Sequence, residues 1–161
     1  MTDIDSAQFR LLCGRFATGV VVITATTPDG SPAGMTANSF ASVSLTPPLV
    51  SINVDTAADM HAVLAAGAEF VINVLSSEQE AVSRRFASGV GSKFDGIGYR
   101  RDERDRILLD GVMATIECTH HAEFPAGDHT IYIGRVVGGS VHDGRPLLYY
   151  RGGYLTPGSI S

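Results

Sequence analysis

Apolar and polar residues alternate with the period of a β-strand along much of this chain, most cleanly at Val50 to Asp55. There Val50, Ile52 and Val54 fall on one face, and Ser51, Asn53 and Asp55 fall on the other. The first face is predicted to enter a core and the second to stay open. Just upstream, Thr36, Asn38, Ser39, Ser42 and Ser44 crowd a short stretch, and Pro47-Pro48 predicts a rigid, non-helical corner before the next strand. From Gly34 onward no formal charge appears before Asp55. Such a run suits a flat polar ligand, and a polar loop followed by a solvated edge strand would use the same residues.

The remaining pattern divides into short elements. From Ser6, apolar Phe9, Leu12, Cys13 and Phe16 recur with helical spacing, Asp5 or Ser6 is available as N-cap, and the helix is expected to lie against the rest of the fold. Val20 to Thr26 is a β-branched run ending at the turn Pro28-Asp29-Gly30, and with Ala33 to Ser44 it reads as a hairpin. Ala57 to Ala66 predicts a short helix closed by Gly67, and Phe70 to Leu75 a buried strand. Ser77 with Glu80 predicts a capping box for a helix that shares Val82 and Phe86 on one face and stops near Gly89, with Arg84 and Arg85 suiting its C-terminal dipole. Tyr99 to Asp110 is the most charged part of the chain and reads as a solvated excursion. Met113 to His120 and His129 to Val137 read as two strands separated by an insertion, and Pro146 to Tyr150 with Gly152-Gly153 closes the chain before Tyr154. Strands joined by short turns, without regular βαβ alternation, predict a mostly β fold with short helices: a small, mainly antiparallel barrel.

Composition narrows the class. The 161 residues, 44% hydrophobic and 18% charged, are expected to form one domain over 1–161. A net charge of −5, with the twelve Lys and Arg scattered, argues against a nucleic-acid binder. Cys13 and Cys118 are too few and too isolated for a disulfide framework or a zinc site, which favours a reducing cytoplasm. The start is acidic and lacks an apolar run of signal length, and no apolar stretch approaches the roughly 20 residues of a membrane helix. His120 and His121 are adjacent and would point to opposite sides of a strand, so a metal site with His129 is not expected. The segment SGVGSKFDG at 88–96 matches neither a phosphate loop nor a dinucleotide fingerprint. It leaves Lys93 as a point charge for a phosphate or as a solvated surface lysine.

Several segments resemble the flavin reductase family of small NAD(P)H:flavin oxidoreductases: TGVVVITA at 18–25, GMTANSFASVSLTPPLVSIN at 34–53, FVINVLSSEQ at 70–79, RRFA at 84–87, KFDG at 93–96, GDHTIYIGRV at 127–136 and PLLYYRGGY at 146–154. The resemblance covers nearly the whole chain in the expected order. It implies an FMN-binding split β-barrel, a homodimer, and hydride transfer from NADH or NADPH to FMN or FAD, with reduced flavin passed to a partner monooxygenase. By the same resemblance, Thr36, Ala37, Asn38 and Ser39 with Ser51, Ile52 and Asn53 address the flavin ring and ribityl chain. Ser42, Thr56 and Lys93 lie toward the phosphate, and Phe94 and Tyr154 complete the cofactor-binding set. His129 is the expected catalytic residue, contacting the nicotinamide nucleotide, and Asp128 helps to set its tautomer or position. A flavin-binding redox carrier without nicotinamide turnover is the alternative, because a fold alone does not fix function.

Overall fold

The computed structural model describes residues 3–89 and 91–155 together with Gly158. In chain order the elements are α1 (Ser6–Cys13), β1 (Thr18–Gly19), β2 (Val21–Thr26), β3 (Pro32–Ala37), β4 (Ala41–Leu45), β5 (Pro48–Asp55), α2 (Asp59–Ala65), β6 (Phe70–Val74), α3 (Glu80–Ala87), β7 (Tyr99–Arg101), β8 (Ile107–Leu109), β9 (Ala114–Ala126), β10 (His129–Val141), β11 (Leu148–Tyr150) and β12 (Gly153–Leu155). Seven strands form one antiparallel sheet in the order β3-β2-β6-β9-β10-β5-β4. The mainly antiparallel reading therefore holds.

Alternation decides what each strand buries. On β5, Val50, Ile52 and Val54 are buried, while Asn53 and Asp55 are exposed, as their spacing predicts. On β2 both faces are covered, so Val21 to Ala25 are all buried, Thr24 included. Val21, Ile23 and Ala25 join Ile52, Tyr132 and the α2 residues Met60, Val63 and Leu64 in one core, and Val20 and Val22 join Leu75, Phe86 and Leu109 in a second. Asn73, fully buried on β6, ties the second layer together: its amide donates to the Val22 carbonyl at 3.0 Å and to Thr24 Oγ1 at 2.9 Å, and its oxygen accepts from Leu109 N at 2.9 Å. Every polar group of that side chain is engaged, which removes the cost of burying it.

Five local expectations need correction. The Ala33 to Ser44 stretch is not one hairpin arm: β3 pairs with β2, and after residues 38–40 the chain enters β4, which pairs with β5 at the opposite edge of the sheet. Helix α1 is capped by Asp5, whose Oδ1 accepts from Gln8 N at 2.8 Å, yet it buries none of its residues, and Phe9, Leu11, Leu12 and neighbouring Phe16 are exposed. The Ser77 capping box does not form, because the helix starts at Glu80, Ser77 N donates to Arg145 O at 2.7 Å, and Gln79 Oε1 instead accepts from Ser76 N at 3.0 Å. The Tyr99 to Asp110 segment is no solvated excursion, since it forms the β7–β8 hairpin with Ile107, Leu108 and Leu109 buried and with Arg101, Arg104 and Arg106 paired to Asp105, Glu69, Asp102 and Glu117. The insertion between the two long strands is absent as well: β9 and β10 run on as a ribbon to a tight turn at Gly127-Asp128, and a bulge near Ile133/Gly134 leaves His121 as the surplus residue.

Candidate functional site

The bridge at residues 38–40, which carries the chain from one sheet edge to the other, forms one wall of a cleft of about 660 Å³, a volume typical of small-molecule sites. Ser39 spends its hydroxyl here, accepting from Asn53 N at 3.0 Å and donating to Asn53 O at 3.2 Å, so that it continues the ladder where β4 has ended. No hydrogen bond among the described residues engages the backbone N–H of Asn38, Ser39 or Phe40. Backbone donors left without partners next to a cleft are suited to the electron-rich edge of a planar ligand. Met35, Thr36 and Ala37 continue this wall, Asn53 and Asp55 supply the floor from β5, and Phe9 and Arg10 approach from α1.

Asp128 and His129 stand at the turn end of the β9–β10 ribbon and line the same cleft. Glycine is required just before them, because Gly127 adopts φ +64°. Thr56 fastens the turn from the other side, donating to the Asp128 carbonyl through its N–H at 3.0 Å and its hydroxyl at 3.1 Å. The Asp128 carboxylate lies 2.7 Å from His129 Nδ1. Its hydrogen bond to the imidazole, followed by the imidazole charge, holds the Asp128 carboxyl below the usual carboxylate range. An ionised acceptor there assigns the proton to Nδ1 and leaves Nε2 without a partner among the described residues. Asp55 is the cross-strand neighbour of His129, and its Oδ1 accepts from Ala57 N at 2.8 Å.

The other expected residues lie elsewhere. Ile52 is fully buried in the barrel core, so only its backbone is available to a ligand. Ser42 and Ser51 lie on β4 and β5 outside the cleft lining. Lys93, Phe94 and Tyr154 gather on the α3 side. Lys93 Nζ donates to Gly34 O at 3.3 Å, Phe94 packs edge-on against Phe86 and Tyr99, and Tyr154 OH lies 2.7 Å from Ser83 Oγ with Arg84 over its ring. Thr36 joins the two groups, because its hydroxyl donates to Ser83 O at 2.6 Å. Phe9 and Arg10 were not legible as cleft residues, since nothing in the spacing of α1 says that it faces this opening. A separate cleft of about 440 Å³, lined by residues including Arg100, Asp110 and His142, holds none of the expected residues. No group of three or more His, Cys, Asp or Glu among the described residues is arranged to hold a metal ion. No helix among them is long and apolar enough to cross a membrane.

The fold is an antiparallel split barrel in which a polar ledge faces a His-Asp turn across the cleft. This chain belongs to the flavin reductase family, whose flavin reductase like domain matches residues 13–158. It is 42% identical over 152 residues to a flavin reductase of Pseudomonas putida, covering 94% of this chain and 89% of that protein. It is also 41% identical over 150 residues to the FMN reductase (NADH) SmoA of Agrobacterium fabrum, covering 93% and 85%. The NADH:FAD oxidoreductase SgcE6 of Streptomyces globisporus C-1027, solved in complex with NAD and FAD fragments, superposes with a TM-score of 0.89 at 36% identity, covering 98% of this chain and 99% of that one.

Proposed function

We propose that this protein reduces free FMN or FAD with NADH and releases the reduced flavin to a partner monooxygenase in the cytoplasm, acting as a homodimer. The observation that carries the reading is the cleft in which the unpaired N–H groups of Asn38 and Ser39 meet the Asp128–His129 pair. It is supported by relatives that are themselves named NADH-dependent flavin reductases or reductase components of monooxygenases. When bound together, nicotinamide and flavin supply the redox chemistry, a hydride passing from the one ring to the other.

The protein's own contribution is positioning. Backbone donors at residues 38–40 hold the pyrimidine edge of the flavin and favour the negative charge that it gains on reduction. His129, oriented by Asp128 and held at a turn that Thr56 anchors, contacts the nicotinamide nucleotide and sets its angle of approach. Thr36, Ala37 and Asn53 complete the flavin wall, while Ser42, Thr56, Lys93, Phe94 and Tyr154 serve the flavin through the elements they brace or through the phosphate end.

The test is NADH oxidation by the purified protein with and without added FMN or FAD. Flavin-dependent turnover is expected, and its absence sinks the reading. His129→Ala is expected to raise KM for NADH or slow flavin reduction about tenfold, a loss of about 1.4 kcal/mol, with the flavin dissociation constant nearly unchanged. Weaker flavin binding with intact hydride transfer would move His129 to the flavin side.

A further inference from the structure

The cleft of about 440 Å³ between the β7–β8 hairpin and the far end of the β9–β10 ribbon shares no residue with the His129 cleft. Ser140, on its wall, and His129 lie near opposite ends of β10, roughly 30 Å apart along the strand at the usual rise per residue. A small ligand in one cleft does not touch the other.

One wall is the hairpin. Arg100 pairs in register with Leu108, and Asp110 N donates to Gly98 O at 2.9 Å, so Arg100, Leu108 and Asp110 follow one another on one face, the two charges within reach of each other. They do not meet. Among the described residues neither Arg100 nor the Asp110 carboxylate makes a side-chain hydrogen bond or an ion pair. The carboxylate is instead folded over Gly98, where an added Cβ would stand 2.5 Å from its Oδ2. Gln79 Nε2 pins the same turn by donating to Asp110 O at 2.8 Å, and Gly111 bends the chain there at φ +72°. The facing wall is the strand end. Buried Thr115 and its cross-strand partner Ser140 bring their hydroxyls to 2.9 Å, and Ser140 Oγ lies 3.2 Å from His142 Nε2. His142 N donates to Met113 O at 2.7 Å, which fixes this end, and Asp143 follows at the rim without a partner among the described residues. Leu108, Leu109 and Val112, all buried, make the floor.

A free guanidinium and free carboxylates thus stand around one apolar floor, on backbone that is already fastened. The forked donors of arginine suit a carboxylate, and an aspartate accepts from an ammonium group. A ligand that carries both charges gains from each, whereas a simple anion meets Asp110 and Asp143 and a simple cation meets Arg100 as repelling neighbours. We propose that this cleft binds a zwitterionic α-amino acid with an apolar side chain, its carboxylate at Arg100, its ammonium group at Asp110 and its side chain over Leu108, Leu109 and Val112. The site is independent of the flavin reaction proposed above.

The probe is leucine, titrated into the intact, isotope-labelled protein while the amide signals of Gly111 and Ser140 are followed by NMR. Saturable shifts of both at millimolar leucine are expected, with the His129 signal unmoved. Arg100→Gln and Asp110→Asn, both at exposed positions, are each expected to weaken leucine about tenfold while leaving the urea midpoint of the protein unchanged. Glycine is expected to bind more weakly than leucine, since it leaves the floor uncovered. Isocaproate, which is leucine without its ammonium group, and isoamylamine, which lacks the carboxylate, supply the remaining arms. Millimolar leucine that moves neither signal, or that binds either variant as tightly as the unaltered protein, overturns the proposal. Isocaproate that matches leucine would make the cleft an anion site and isoamylamine that matches it a cation site, and either result refutes the zwitterion.

Discussion

The two thiols show how far surroundings decide a residue's chemistry. Cys118 is fully buried on β9 beside Phe70 and Gly134, and burial pushes its pKa up to about 12, Arg106 only partly opposing the shift. Cys13 is exposed at the end of α1. A thiol reagent at pH 8 is therefore expected to modify one cysteine of the native protein quickly and the second only after unfolding, because the thiolate is the reacting form. Two fast equivalents would mean that β9 opens readily. At this scale the sequence was informative where neighbours in the chain act together, as Asp128 and His129 do. It was silent where the partner is distant. The hydroxyls of Thr36, Ser39 and Thr56 looked alike in the sequence, yet each is already spent on a backbone group, at Ser83, Asn53 and Asp128. The hub at Asn73 gave no signal, since an asparagine inside an apolar strand looks the same whether its amide finds partners or not.

Among the elements, the β7–β8 hairpin depends most on charge. Arg106, 10% exposed, reaches Asp102 at 2.7 Å and Glu117 at 2.6 Å and so ties the hairpin to β9. Removing it as Arg106→Ala strands these carboxylates, and a loss of about 3–5 kcal/mol is expected in urea unfolding, the range for breaking a buried ion pair from one side. Burial raises the Asp102 carboxyl, but hydrogen bonds from the backbone and side chain of Arg106 and from Arg104 outweigh it, and the net shift is downward. The sign follows: a carboxyl held lower in the folded state stabilises fully above its unfolded value of about 3.9 and loses that contribution as pH falls through the folded value. Amide exchange at Ile107 to Leu109 is expected to accelerate in that acid window before the large sheet yields. In the sequence the charge density of this hairpin reads as solvation, whereas Arg101, Arg104 and Arg106 are paired with Asp105, Glu69, Asp102 and Glu117. Strand β5 was legible because packing enforces its period, and β2 and β6 because burial on both faces concentrates β-branched and apolar residues there. The length of the β9–β10 ribbon was not, because its bulges interrupt the alternation.

At the scale of the whole molecule, large apolar side chains remain uncovered on one copy of the chain. Leu45 is 94% exposed on edge strand β4, with Val43 near it, and Leu11 and Leu12 project from α1. A homodimer is the expected remedy, and light scattering is expected to return twice the 17.0 kDa of one chain. Leu45→Asp is expected to shift the mass toward the monomer, and a wild-type monomer at micromolar concentration would refute the assembly. The apolar period of α1 was legible from the sequence, but its exposure was not, because a helical apolar period looks the same whether or not the helix packs on its own chain.

Burial on both faces of β2 has a further consequence, for mutational tolerance. Val21, Ile23 and Ala25 serve one core, and Val22 with Val20 just before the strand serves the other, so β2 offers almost no position where a polar or bulkier residue comes free of cost. The outward face of β5 carries no such burden at Asn53 and Asp55, whose side chains project from a frame that is already closed behind them. Innovation in ligand preference is therefore cheap at the rim and nearly forbidden on β2, which lets one barrel diversify while its scaffold stays fixed.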